Sequence, residues 1–290
     1  MKNLTNDQVV HVIKENVQYL QFRKLLEYEN IITHAYSLGL DVNFRTANSE
    51  GPVKRMNLPI NSYKNICKEI GSSYIRAVKA NQSHTNNVKI VSSKINKCEP
   101  DFNLEEYKNT DGLITNKKNL LLSTTNADCI LLLLFDPVQK VIANVHSGWK
   151  GTIKRIVVNA IKKMVNNFGC NPENIICAIC PSIRKCHFEV EEEVKEQFEN
   201  EFKDLIGFNF VEKNKLRTIK MNDIIEEKVK NEKWNIDTVL INKIIMQNLG
   251  LKPDNIVDSG ICSVCNSNLI HSYRVEKEKY GLETALIELK

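Results

Sequence analysis

No apolar run in this chain is long enough to cross a bilayer. The longest strongly apolar stretch, residues 130–135, falls far short of the roughly 20 residues a spanning helix needs. The first ten residues carry no apolar core and no small-residue cleavage site, so a secretory signal is not expected. Charge of one sign is scarce: 40 Lys and Arg stand against 35 Asp and Glu, and the cations are dispersed rather than striped. That pattern argues against a nucleic-acid footprint. The nine cysteines are an odd number without framework spacing, and a chain of 290 residues does not need disulfide staples. A reducing cytoplasm is the expected setting. Low-complexity tracts and obvious linkers are missing too, so residues 1–290 are read as a single domain.

What is present is strong patterning in the middle of the chain. Residues 41–59 read as a long irregular connection. Three short apolar runs follow later, at residues 120–122, 130–135 and 141–145, with Asp136-Pro137 supplying the turn between the last two. Runs this apolar predict strands covered on both faces. A strand is also expected over residues 74–78. From Thr152 the period becomes helical, through Ile153, Ile156, Val157, Ala160, Ile161 and Met164, and Gly169 ends the helix. A strand at residues 175–180 and a helix at 189–206 complete this part. One echo recurs: Phe168-Gly169, Pro172 and Asn174-Ile175-Ile176 are matched by Leu249-Gly250, Pro253 and Asn255-Ile256-Val257. Both read as a helix stop and a tight turn into a strand. The expected fold is mixed α/β (α+β), with layered sheets covered by helices.

Two positions stand out chemically. Cys129 ends the polar loop Thr124-Thr125-Asn126-Ala127-Asp128 and enters a very apolar strand; His146 ends another and opens Ser147-Gly148-Trp149-Lys150-Gly151. Strand ends leading to helix N-termini are where α/β proteins place their sites. An antiparallel hairpin would set Cys129 and His146 side by side. A lone Cys at a strand is ordinarily a small buried hydrophobe, and a lone His a satisfied structural residue. Their pairing with Asp128, Gly148 and Gly151 favours a site. His84, in Gln82-Ser83-His84, is a third candidate that spacing alone cannot bring to the other two.

Through these motifs the chain resembles the family first called multicopper polyphenol oxidoreductases or laccases and later recognised as purine nucleoside phosphorylases. The likeness runs from about Ile32 to the end. It includes Cys180-Pro181-Ser182-Ile183, Cys186-His187-Phe188-Glu189-Val190, Gly260-Ile261-Cys262 and Ser272-Tyr273-Arg274. The resemblance implies a zinc ion held by His84, Cys129 and His146, with copper as a substitute. It implies phosphorolysis of adenosine, inosine and methylthioadenosine, and adenosine deaminase activity. Purine nucleosides and phosphate are then the partners, with no nucleic acid and no membrane. Asp128 joins Cys129 and His146 as a catalytic candidate; Arg274 and Lys150 are the substrate-binding ones. The chain departs from the family at Thr85, where Gly is usual, at Lys150, where Arg is common, and at Val275, where a second Arg often follows. The early Ser-Thr-Arg motif is reduced to Ser37-Leu38.

Three protein ligands leave one position free on tetrahedral zinc, the catalytic arrangement. Two other readings remain open: a metal-free cysteine hydrolase in which His146 activates Cys129, and a copper-dependent polyphenol oxidase, since two His and one Cys also suit a blue-copper centre. A metal-sensing or scaffold role is the non-enzymatic alternative. Cys177-Cys180 and Cys262-Cys265 are both spaced as Cys-x-x-Cys. A four-cysteine zinc knuckle is not expected from them, because residues three apart in a strand face opposite sides and the pairs are far apart in sequence.

Overall fold

The computed structural model describes residues 2–45, 58–92, 105–228 and 233–290. Most of the expected connection at residues 41–59 lies outside them. Two six-stranded sheets form the centre. The first runs, edge to edge, Val9–Lys14, Val17–Phe22, Ile32–Leu38, Glu283–Leu289, Leu121–Asn126 and Ala77–Lys79. The second runs Ile256–Asp258, Ile176–Ile179, Ile130–Asp136, Val141–Ser147, Gly112–Thr115 and Val88–Ile90.

The strand Ile130–Asp136 explains the layering, because every residue in it is buried. Its side chains alternate between two interiors, as the pleat requires. Leu131, Leu133 and Phe135 meet Leu20, Leu122 and Ile287 of the first sheet. Ile130, Leu132 and Leu134 face Ile156, Ala160 and Ile161 of the helix Ile156–Phe168 and Ile241 and Ile245 of the helix Thr238–Asn248. The outer face of the first sheet is covered by Tyr63, Ile66 and Cys67 of the helix Leu58–Glu69. The order of layers is therefore helix, sheet, sheet, helices, and it is the mixed α/β architecture expected from the sequence.

The hairpin between residues 130 and 147 pairs antiparallel, with Leu131 opposite His146 and Ile130 opposite Ser147. Asp136 makes the turn by accepting from the N–H groups of Val138 and Gln139. The repeated helix-stop signal is also real. Gly169 and Gly250 take positive φ, and short 3-10 turns at Pro172–Asn174 and Pro253–Asn255 lead into strands that pair in parallel.

Three elements differ from expectation. Residues 74–76 form a 3-10 turn, and the strand begins only at Ala77. The helix expected from Thr152 is two helices, Trp149–Ile153 and Ile156–Phe168, broken at Arg155, whose φ is +54°. Arg155 is held in that conformation by ion pairs to Glu201 and Asp204, both at 2.6 Å. Tertiary pairing thus overrides a continuous helical period. Glu189 and Val190 pair as a strand with Asn235 and Trp234, so the next helix spans only Glu192–Glu201.

Candidate metal centre

The chain crosses from the first sheet to the second at two neighbouring places, and the candidate site is built there. One crossing, from Leu121–Asn126 to Ile130–Asp136, carries Cys129; the other, from Ala77–Lys79 to Val88–Ile90, carries His84. The side chain of Gln82 ties the two together. Its Nε2 donates to the Thr125 carbonyl at 2.7 Å and its Oε1 accepts from the Thr125 N–H at 2.8 Å. This is the fold's answer to what spacing could not decide: His84 is brought to Cys129 and His146. The ligand atoms of all three lie within 4.8 Å of one another. Cys129 Sγ is 3.8 Å from His84 Nε2, close to the roughly 3.6 Å separating a sulfur and a nitrogen that share a tetrahedral zinc.

Asp111 organises this cluster, and sequence reasoning missed it. His146 Nδ1 is 2.8 Å from Asp111 Oδ1, with the aspartate fully buried. This leaves Nε2 of His146 for the cluster, since the bonded nitrogen is spoken for. The same carboxylate accepts from the backbone N–H of His84 at 3.0 Å and of Thr85 at 2.7 Å, and from the Thr85 hydroxyl at 2.6 Å. His84 itself has φ +60°, a conformation a non-glycine residue holds only when its surroundings impose it. The only signal in the sequence was an acid just before the short run of residues 112–115, which periodicity does not distinguish from a turn residue.

The electrostatics follow from these contacts. Burial pushes the Cys129 thiol up, but His146 and His84 more than offset it and hold it at about 6. Burial also opposes the charged imidazole of His146, yet Cys129 and Asp111 together raise it to about 9. Burial alone would raise Asp111; its hydrogen bond from His146 and those from Thr85 bring it down to about 2. A thiolate flanked by two imidazoles is a soft, anionic donor set suited to zinc or copper. Gly148 leaves the room for it: a Cβ there would stand 2.8 Å from His84 Cδ2 and 3.1 Å from Cys129 Sγ.

The cluster lies in the wall of a cavity of about 680 Å³, lined also by Lys79, Trp149, Phe188, Tyr273, Arg274 and Tyr280. That volume suits a small organic ligand. Asp128 (φ +86°) also lines it, but its carboxylate is engaged: Oδ1 accepts from Ser263 Oγ at 2.5 Å and Oδ2 from the Arg274 N–H at 2.7 Å. It braces the loops around the site. Arg274 reaches the cavity and bonds the Glu189 carbonyl through its guanidinium at 3.1 Å. Lys150 is exposed, sits 5.4 Å over the Trp149 ring, and is not among the lining residues. Lys79, which the sequence did not single out, lines the cavity while buried, and burial lowers its ammonium to about 8. Of the departures, Thr85 bonds Asp111, Leu38 is a core residue and Val275 is exposed.

Cys177 and Cys180 face opposite interiors, as their spacing predicted. No helix among the described residues is long and apolar enough to cross a membrane.

Fold and cluster together define a four-layered α/β protein with soft metal-ligating side chains in a cavity wall. The chain belongs to the multi-copper polyphenol oxidoreductase laccase family, whose model matches residues 49–290. It is 28% identical over 216 residues to purine nucleoside phosphorylase YlmD of Bacillus subtilis, a match spanning 73% of this chain and 70% of that one. It is 26% identical over 209 residues to adenosine deaminase RL5 of an unknown prokaryotic organism, spanning 72% and 73%. The crystal structure of the hypothetical protein YfiH of Bacillus licheniformis superposes with a TM-score of 0.73 at 20% identity, covering 97% of this chain and 99% of that one. At that identity the likeness speaks for the fold alone.

Proposed function

We propose that this chain is a zinc-dependent purine nucleoside phosphorylase, acting on adenosine, inosine and methylthioadenosine, with adenosine deaminase activity. The observation that carries the reading is the cluster of His84, Cys129 and His146 in the wall of a nucleoside-sized cavity that also holds two cations, Lys79 and Arg274. The names of the relatives point the same way. His84, Cys129 and His146 would hold the zinc, which supplies Lewis acidity at a fourth, open position.

The remaining work falls to the side chains of the chain itself. Asp111 fixes the ring of His146 and the backbone of His84 through the contacts described above. Lys79 and Arg274 bind the anionic phosphate, Arg274 through a planar fork and Lys79 as a point charge. Phosphorolysis joins a phosphate oxygen to the anomeric carbon of the ribose while the bond to the purine breaks. Holding the two reactants together is the main contribution of such a cavity. Trp149, Phe188 and Tyr280 give it apolar faces for a purine and exclude water.

The lowered Cys129 thiol would also suit a nucleophile. What favours a metal is His84, a third soft ligand that a cysteine-histidine pair does not need. Copper shares this ligand preference, so metal analysis decides between the two ions. The test is metal content of the purified protein, paired with products from adenosine with and without phosphate. Adenine and ribose 1-phosphate, with some inosine, are expected. Adenine formed equally well without phosphate would mean hydrolysis and overturn the phosphorylase reading.

A further inference from the structure

A second cluster of metal-ligating atoms lies outside the cavity wall. The parallel strands Ile176–Ile179 and Ile256–Asp258 end side by side, and the loops that follow stay together. The N–H of Ser182 donates to the Ile261 carbonyl and that of Ser263 to the Ser182 carbonyl, at 3.3 and 3.1 Å. This register sets Cys186 and His187 against Cys262 and Cys265, and their four ligand atoms lie within 4.8 Å of one another. Neither Cys-x-x-Cys pair forms a knuckle with the other. Cys262 and Cys265 instead face a Cys-His pair from the loop after Cys180.

The distances are those of atoms around one ion. Cys186 Sγ and Cys262 Sγ are 3.7 Å apart, and His187 Nδ1 lies 3.6 Å from Cys262 Sγ and 3.5 Å from Cys265 Sγ. Around a tetrahedral zinc with ordinary bond lengths, two sulfurs stand about 3.8 Å apart and a nitrogen and a sulfur about 3.6 Å. The His187–Cys186 contact, at 3.2 Å between adjacent residues, is shorter. We propose that Cys186, His187, Cys262 and Cys265 bind a second zinc ion, separate from the one assigned to His84, Cys129 and His146. Three cysteines and one histidine complete a tetrahedron and leave no open position, so the role is structural.

The position of this site gives that role content. Phe188 and Val190, just after His187, line the cavity, as do Tyr273 and Arg274 beyond Cys265. Ser263, between the two cysteines, donates to Asp128, the neighbour of Cys129. Zinc here cross-links two loops whose continuations both line the cavity. The supporting contacts are built in: Arg184 Nε donates to the Ile261 carbonyl at 3.2 Å, and Asn266 Nδ2 to the Cys262 carbonyl at 2.8 Å.

The test is zinc stoichiometry by native mass spectrometry on the full chain purified under reducing conditions. Two zinc ions per chain are expected for the wild type, one for Cys265→Ala and one for Cys129→Ala. If only the first assignment failed, Cys129→Ala would keep its zinc while Cys265→Ala still lost one. Full zinc retention in Cys265→Ala would overturn the second site. Should that variant not fold, alkylation of the wild type decides. Cys186 and Cys265, exposed side chains, should resist iodoacetamide until a chelator is added. Immediate alkylation of both in protein carrying its full zinc would overturn the proposal.

Discussion

Asp111 Oδ1 lies 2.8 Å from His146 Nδ1, and the same carboxylate receives the N–H of His84, so one buried acid orients two members of the cluster. Partners of this kind fix the tautomer and direction of a ligating imidazole, and removing one costs roughly 10–100-fold in metal affinity. Asp111→Asn should therefore weaken zinc binding by about that factor. An amide cannot serve all these donors, because its NH₂ group would face an N–H it used to accept from. Competition with a chromophoric chelator measures the change, and unaltered affinity would reduce Asp111 to a loop residue.

Thr85 is the departure from the family pattern that the structure accounts for best. Its hydroxyl and N–H both reach Asp111 Oδ2. Thr85→Gly, which restores the usual family residue, should remove one hydrogen bond to a charged group, worth about 1.5–3 kcal/mol. Much of that will appear as lower thermal stability, with zinc affinity falling less than in Asp111→Asn. A variant with a higher Tm than the wild type would contradict this account.

Gly148 tests whether the cluster needs its close packing. Its φ of −61° is open to alanine, so Gly148→Ala carries no backbone strain. The added methyl would instead press on His84 and Cys129 at 2.8 and 3.1 Å. Folding monitored by circular dichroism should be nearly unchanged, while zinc affinity falls on the order of tenfold or more, since ligand spacing must change. Equal zinc affinity in both proteins would mean the cluster does not bind metal as drawn.

The sequence made the hairpin legible because two signals coincide there: a continuous apolar run at residues 130–135, as a strand covered on both faces requires, and a turn at Asp136-Pro137. Cys129 and His146 could be paired on that basis alone. The helix break at Arg155 was illegible, since the period continues through it and the cause lies in Glu201 and Asp204, far along the chain. His84 stood out as a candidate, but only family likeness joined it to Cys129 and His146; its approach depends on Gln82 and Asp111, which make long-range contacts. The Cys-His pair at residues 186–187 belongs to a family-like motif, but its meeting with Cys262 and Cys265 depends on two strand ends lying in parallel. Asp128 shows the opposite limit. Its place beside Cys129 suggests catalysis, whereas its carboxylate is occupied by Ser263 and Arg274.

The phosphate site yields the sharpest separation of roles. Lys79 and Arg274 both line the cavity, but they differ in how they hold charge. Each contact from a cation to phosphate is worth about 1.5–3 kcal/mol. Lys79→Met or Arg274→Met should thus lower phosphate-dependent kcat/KM by roughly tenfold to a hundredfold. Deamination of adenosine, which needs no phosphate, should fall much less. The pH dependence distinguishes the two residues. Burial brings the Lys79 ammonium down from its ordinary value to about 8, so the cation that binds phosphate is present below that pH and is lost as pH rises through it. Bound phosphate favours the ammonium and shifts this loss upward. Phosphate KM should therefore climb above about pH 8 in the wild type and in Arg274→Met. In Lys79→Arg the climb should vanish, because a guanidinium stays charged throughout. Steady-state kinetics across pH 6.5–9.5, at about half-unit steps, reads this directly. A rise in phosphate KM that persists unchanged in Lys79→Arg would remove Lys79 from the phosphate site, and a variant that loses both activities equally would mark its residue as structural.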